Sequence, residues 1–224
     1  MLTLLGAGYA VPTRTLTTKN FFIGSDYGAR ATFSFNIREP GCIWAKATWT
    51  GTASSLSLIL KGPDDQAPAY NRQDGSSDLV LAYSVKADDL KSGTSWTITI
   101  ANFGGGTASG EITIEIPPTQ VPCEVEATPG NSPGQIMLSW SYTGKELPAF
   151  FLVERSTDDE TWSNVVSICQ LKPSALQTSY SCTDNSGLKF NVFLYHYRAC
   201  SVLSASASRC GKSNVSPSVS VRAP

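Results

Sequence analysis

The sequence predicts an all-β protein built as two tandem β-sandwich domains. Apolar and polar residues alternate over short runs, which is the pattern of half-buried strands. Clusters of Gly, Pro, Asp and Ser separate these runs, as turns do. A proline-rich segment, residues 117–122, interrupts the pattern near the middle of the 224-residue chain. Two domains of about 100 residues each fit this length.

The first half contains the clearest alternation. Its predicted strands are centred on the following apolar positions: Phe33 and Phe35; Leu56, Leu58 and Leu60; Trp96, Ile98 and Ile100. A further run, residues 43–50, carries Trp44 and Trp49. Because these two residues are an odd number of positions apart, they are expected on opposite faces of one strand. We therefore expect core packing rather than a shared aromatic platform.

A domain boundary is expected where an alternating strand meets prolines. Ile112, Ile114 and Ile116 alternate with polar residues, and three prolines follow within six residues. Proline cannot donate to a strand ladder, so the strand ends there and the connection stiffens. The predicted organisation is an N-terminal arm (1–20), a β-sandwich (21–117), a linker (118–122) and a second β-sandwich (123–224).

Three segments of the first half form a recognisable pattern. They are LSLILKGP at 56–63, GTSWTITI at 93–100 and SGEITI at 109–114. Over residues 25–117 this pattern resembles the pre-peptidase C-terminal domain family. The resemblance implies a jelly-roll-like fold and a non-catalytic accessory role, and thus binding or packing rather than chemistry.

The second half carries a longer ordered series of motifs. They are QIMLSW at 135–140, FLVERS at 151–156 followed by Trp162, TSYSCTD at 178–184, YHYRA at 195–199 and a closing strand at 213–221. Residues 119–224 thereby resemble a fibronectin type III domain, an immunoglobulin-like sandwich. The resemblance places Tyr195 at the structural tyrosine corner of that family. Alternation puts Tyr195 and Tyr197 inward and leaves His196 and Arg198 outward.

Six cysteines permit fifteen pairings. Cys200 and Cys210 flank a Ser- and Ala-rich loop whose ends a hairpin would bring together, and Cys169 and Cys182 flank another short segment. Both pairs are candidate disulfides, and the alternative is reduced, buried cysteine in a cytosolic protein. Cys42 and Cys123 fall in different domains. They could bridge the domains, stay reduced or bond a neighbouring subunit, and the sequence does not rank these.

Composition and residue counts disfavour several functions. The formal net charge is −1 with no basic stripe, so nucleic acid is not an expected partner. No apolar run reaches the length of a membrane span. His196 is the only histidine, and no CxxC pair exists, so neither a His-dependent triad nor a zinc site is expected. We expect no enzyme activity, no cofactor and no metal.

The N-terminal arm is apolar at Leu2, Leu4, Leu5, Tyr9 and Val11. It lacks the cationic start of a signal peptide, so it is either the remnant of a removed signal or, as we favour, part of the mature protein. We expect it to dock on another subunit. Other protein subunits, including copies of this chain in a homo-oligomer, are the expected partners, with a surface glycan as a further one.

The leading functional hypothesis is a bacteriophage structural protein of the virion surface: a capsid decoration, neck or tail component. Virion proteins fold in a host cytoplasm and then operate in an oxidising environment, which reconciles disulfides with the missing signal. The alternatives are a secreted bacterial accessory module of a hydrolase and a carbohydrate-binding adhesin.

Overall fold

The computed structural model describes residues 15–74, 78–117, 121–144, 146–164, 169–186, 194–203, 208–210, 215–216 and 218–222. The first sandwich contains β1 (Thr15–Ile23), β2 (Arg30–Asn36), β3 (Gly41–Gly51), β4 (Ser55–Lys61), β5 (Ala69–Asp74), β6 (Asp78–Val85), β7 (Ser95–Asn102) and β8 (Ala108–Ile116). The second contains β9 (Cys123–Pro129), β10 (Ile136–Ser141), β11 (Phe150–Ser156), β12 (Ser163–Asn164), β13 (Ser179–Asp184), β14 (Leu194–Val202) and β15 (Val219–Arg222). This confirms the predicted all-β fold with two tandem sandwiches.

The first sandwich is a jelly roll. Its two antiparallel sheets have the strand orders β1-β8-β3-β6 and β2-β7-β4-β5, so the chain repeatedly crosses between sheets. The predicted apolar positions form the core between them; it includes Leu56, Leu58, Leu60, Trp96, Ile98 and Ile100, each 1% exposed or less. Trp49 is buried in this core, whereas Trp44 lies half-buried on the outer face of β3, as their odd spacing predicts.

The first strand begins earlier than the sequence suggests. Residues 15–23 form β1, and Thr15 to Ile23 pair in antiparallel register with Ile116 to Ala108 of β8. The predicted boundary of the arm at residue 20 is therefore wrong. Threonine-rich segments favour strands, but this one lacks the apolar alternation from which the other strands are predicted.

The second sandwich packs a three-stranded sheet, β13-β10-β9, on a four-stranded sheet, β12-β11-β14-β15. Aromatic rings fill the space between the sheets. The Phe151 ring lies 5.9 Å from the Trp140 ring, 5.1 Å from the Tyr142 ring and 4.5 Å from the Tyr180 ring, measured between centroids. Edge-to-face and tilted pairs of this kind add to the stabilisation from burial alone.

Strand β11 is buried on both faces, which the sequence does not predict. Phe151 and Val153 face the core between the sheets. On the opposite face, Phe150 and Leu152 form a second apolar cluster with Cys200, Val202 and Val215, and Ala149 and Cys210 pack against it. Cys200 also makes an isolated antiparallel bridge to Val215, so the chain leading into β15 lies beside β14 at this point.

Candidate functional site at the joint between the sandwiches

Three disulfides are present, and all six cysteines are paired. Cys169 pairs with Cys182, and Cys200 with Cys210, the two pairs that loop geometry favours. Cys42 pairs with Cys123, with 5.3 Å between their Cα atoms, so of the three alternatives the domains are bridged. Three disulfides indicate that the protein works in an oxidising, extracellular environment.

The predicted docking arm lies outside the described residues. Leu2, Leu4, Leu5, Tyr9 and Val11 all precede Thr15, the first residue of β1. Docking of this arm on a neighbouring subunit stays a prediction.

The joint between the sandwiches is covalent and closely packed. Cys42 lies on β3 of the first sandwich, and Cys123 begins β9 of the second. Their disulfide is buried with Val121 and is partly covered by Trp44 and Ala82. Linker and disulfide therefore connect the sandwiches at two points, which restrains rotation of one against the other.

Glu124 strengthens this joint from the position after Cys123. Its carboxylate accepts hydrogen bonds from the backbone N–H of Ser84 in β6, at 3.4 Å, and from the hydroxyl of Ser141 in β10, at 2.7 Å. A second bridge joins the hydroxyls of Ser84 and Thr143 at 2.8 Å. Polar contacts thus cross the boundary beside the disulfide.

The backbone at Glu124 is strained, with φ at +51°. A non-glycine residue in this region costs on the order of 1 kcal/mol and persists only where its surroundings hold it. Here the disulfide at Cys123 and the two carboxylate contacts hold it. Sequence patterning carries no signal of this role, because Glu124 looks like an ordinary polar residue at the start of a strand.

A cleft of about 520 Å³ opens at the joint. One side is formed by β3 and β6 of the first sandwich, and the other by strands of the second sandwich. Its lining residues are Trp44, Val80, Ala82, Glu124, Val125, Glu126, Ser139, Trp140, Ser141, Ser179, Ser218 and Val219. Among the described residues, this set combines two carboxylates, four hydroxyls and the half-buried indole of Trp44, and it contains no Lys, Arg or His; the ring of Trp140 is buried in the core of the second sandwich. The cleft is therefore acidic, and more of its surface is apolar than polar.

A buried polar network closes one end of the second sandwich. The Asp184 carboxylate accepts hydrogen bonds from Arg155 at 2.7 Å, Tyr197 at 2.8 Å and Ser186 at 2.7 Å. Burial alone would raise the pKa of Asp184, but these hydrogen bonds and the Arg155 charge hold its pKa below the usual value. Burial and the bond to Asp184 raise the pKa of Tyr197. These groups pair with one another inside the fold, so the network has a structural role.

Another ion pair, between Arg198 and Glu154, also holds the backbone of Cys210. Arg198 donates two hydrogen bonds to the 3%-exposed carboxylate of Glu154, at 2.6 and 2.9 Å, and its guanidinium lies 4.0 Å above the Trp162 ring. Glu154 also accepts the backbone N–H of Cys210 at 3.0 Å. Arg198 points away from the main core, as alternation predicts, but it is paired rather than solvated.

Tyr195 and His196 have less distinctive surroundings. Tyr195 is buried, and the Arg155 guanidinium lies 5.5 Å from its ring centroid. Its assignment as a tyrosine corner stays a prediction. The imidazole Nδ1 of His196 lies 3.8 Å from a carboxylate oxygen of Asp159, at the surface of the sandwich.

At the end of the first sandwich remote from the joint, a buried asparagine connects the loops beside an exposed tyrosine. Fully buried Asn102 donates from its amide to the carbonyls of Gly24 and Gly106, and accepts from the N–H of Gly104. Tyr27 is 79% exposed and makes an edge-to-face contact with Phe103, with 5.5 Å between centroids. Asn102 thus ties together the loops that present Tyr27.

Neither a metal-binding cluster nor a membrane-spanning helix is found in the described part of the chain. Within it, no group of three or more His, Cys, Asp or Glu side chains is arranged to hold a metal ion. No helix in these ranges is long and apolar enough to cross a membrane.

Comparisons with known proteins leave the family open. No family model and no curated protein matches the sequence. Similar solved structures include a β-1,2-glucanase from Parabacteroides distasonis, at 12% identity and a TM-score of 0.31, covering 95% of this chain and 37% of that one. A β-glucuronidase from Ruminococcus gnavus gives 8% identity and a TM-score of 0.39, covering 94% and 45%. This chain spans less than half of either protein, and likeness at these TM-scores carries no argument about function.

Proposed function

We propose that this chain is a non-enzymatic structural and interaction protein of an extracellular assembly, and that the assembly is a bacteriophage virion. In this role the two sandwiches form a rigid element on the particle surface, as a capsid decoration, neck or tail component. The N-terminal arm docks the element on a neighbouring subunit.

The covalent joint is the observation that carries the proposal. A linker alone would let two domains reorient, which is the default for domains with modest interfaces. The Cys42–Cys123 disulfide, the strained Glu124 and the Ser84–Thr143 contact all act against that freedom. A fixed angle between modules suits a protein that spans a defined distance in an assembly, and three disulfides suit exposure outside a cell.

The strand orders support the family assignments on which the proposal draws. In the second sandwich, β13-β10-β9 and β12-β11-β14-β15 correspond to strands E-B-A and C′-C-F-G of a fibronectin type III domain. The jelly-roll order of the first sandwich fits a pre-peptidase C-terminal domain. Both families serve here as scaffolds whose surfaces carry the interaction.

The experiment is to find where the native protein resides. A lysate of the source culture is fractionated on a caesium chloride density gradient, and the chain is detected by antibody and by mass spectrometry. We expect it to band with DNA-containing particles and to stay there after a salt wash. Recovery only with free secreted proteins would refute the virion assignment and favour a secreted accessory module.

A second arm of the experiment tests docking. Purified variants are added to particles that lack the protein, and bound chain is measured after sedimentation. A variant without residues 2–11 should fail to bind, whereas Tyr27→Ala, remote from the joint, should bind as the parent does. Equal binding by the shortened variant would refute docking through the arm.

A further inference from the structure

The cleft at the joint has a floor built from an outward-facing strand surface. In β10, Ile136, Leu138 and Trp140 are buried, so Ser139 and Ser141 alternate onto the opposite face. Ser139 pairs with Glu126 of β9, and Ser141 pairs with Ser179 of β13. Three neighbouring strands therefore present hydroxyls and a carboxylate on one surface.

The wall of the cleft is aromatic and aliphatic. Trp44 lies on the outer face of β3, opposite Ala82 of β6 in register, and Val80 is two residues further along. Both Trp44 and the 41%-exposed Val80 line the cleft. Because the disulfide fixes the two sandwiches, this wall stands at a set position relative to the hydroxyl-bearing floor.

The chemistry of the lining limits what could bind. Two carboxylates, with no cationic side chain among the described lining residues, disfavour an anionic ligand. A purely apolar ligand would desolvate the carboxylate of Glu126 without giving it a hydrogen-bond donor. A neutral sugar has hydroxyls that donate hydrogen bonds to the carboxylates and that donate to or accept from the serine hydroxyls. It also has an apolar C–H face that can pack on the indole of Trp44. A volume of about 520 Å³ lies within the range of small-molecule sites.

We propose that the cleft between the sandwiches binds a neutral oligosaccharide, with Glu126, Ser139 and Ser179 hydrogen-bonding its hydroxyls and Trp44 contacting its C–H face. The proposed structural role does not require this site, and the site does not require a virion. A protein of an extracellular assembly could use it to attach to a glycan-covered surface.

The test is an NMR titration of the full ¹⁵N-labelled chain with its disulfides intact. The probes are maltohexaose, cellohexaose and chitohexaose as neutral sugars, sialyllactose as an anionic sugar, and a tetra-arginine peptide as a cation. We expect at least one neutral hexasaccharide to bind and to shift the indole N–H resonance of Trp44. Those of Trp49, Trp96 and Trp162 should stay in place.

Variants locate the site. Trp44→Ala should weaken the affinity for the neutral sugar by about tenfold or more, because stacking area is lost. Glu126→Gln keeps the shape of the side chain and should weaken the affinity for the sugar by about fivefold, because a charged hydrogen-bond acceptor becomes a neutral one. Glu160→Gln, an exposed carboxylate outside the cleft, and Tyr27→Ala should bind like the parent. Glu126→Gln keeps the test valid if Trp44→Ala disturbs folding.

Several results would overturn the proposal. They are no binding of any neutral hexasaccharide, binding unaffected by Glu126→Gln, loss of binding in Tyr27→Ala, or a response only to sialyllactose or to the tetra-arginine peptide. The last of these would make the cleft an anion or basic-peptide site. None of these outcomes depends on where the native protein resides, so the two proposals fail separately.

Discussion

Removing the Cys42–Cys123 disulfide should destabilise the first sandwich more than the second. The two cysteines are 81 positions apart, and the loop they close contains most of β3 and all of β4 to β8. In the chain-entropy account, a closed loop of this length stabilises the folded state by about 4.5 kcal/mol at 25 °C. The same relation gives about 2.7 kcal/mol for Cys200–Cys210, which are 10 positions apart.

The double variant Cys42→Ala/Cys123→Ala should show the difference in urea denaturation. Tryptophan fluorescence and far-ultraviolet circular dichroism would follow unfolding, with the variant Cys200→Ala/Cys210→Ala as the matched control. We expect the first-sandwich transition of the joint variant to lose about 4 kcal/mol, while the second-sandwich transition changes by less than about 1 kcal/mol.

Small-angle scattering of the same variant would test the rigidity of the joint. If the disulfide restrains the angle between sandwiches, its removal should broaden the distribution of intramolecular distances and raise the radius of gyration. A loss below about 1 kcal/mol in the first transition, or equal losses in both, would refute the placement of the constraint. An unchanged scattering profile would show that the polar contacts suffice to hold the angle.

Three other variants test the packing and the charge networks. Asp184→Asn should lower the free energy of unfolding by about 3 kcal/mol at pH 7, because it breaks a buried ion pair. Since the pKa of Asp184 is lowered on folding, the stabilisation from its carboxylate is present above a pH of about 4 and is lost as the pH falls below it. The difference in stability between variant and parent should therefore narrow in acid. Urea titrations at pH 7 and pH 3 measure this, and a constant gap would contradict it. Gly110→Ala should destabilise the first sandwich by about 3 kcal/mol, because an added Cβ would overlap backbone of the adjacent strand. The control Gly24→Ala adds its Cβ in open space and should change stability by less than about 0.5 kcal/mol. Similar melting temperatures for the two variants would refute the argument. Arg198→Met should lower the free energy of unfolding by about 3 kcal/mol, because it leaves the buried carboxylate of Glu154 without its cationic partner. Combining Arg198→Met with Glu154→Gln should lower it by less. A double variant at least as unstable as the single one would contradict this.

Local periodicity is sufficient to determine the fold class and the orientation of several side chains. Alternating residues define which side chains share a face, because successive side chains in a strand point to opposite sides. That Trp44 and Trp49 lie on opposite faces of β3 follows from that rule, whereas the burial of Trp49 rather than Trp44 is seen only in the structure. The pairing of Cys200 with Cys210 is likewise local, since a loop of about ten residues brings its own ends together.

Tertiary structure decided the features that depend on distant residues. The pairing of Cys42 with Cys123, the strain at Glu124 and the cleft beside them arise only when two independently patterned sandwiches meet. Nothing in the residues around either cysteine specifies the other, because their approach depends on the packing of all the strands between them. The start of β1 is of the same kind: a threonine-rich segment became a strand through its partner β8. Local patterning therefore specifies the two sandwiches, whereas the joint on which both proposals rest forms only through tertiary packing.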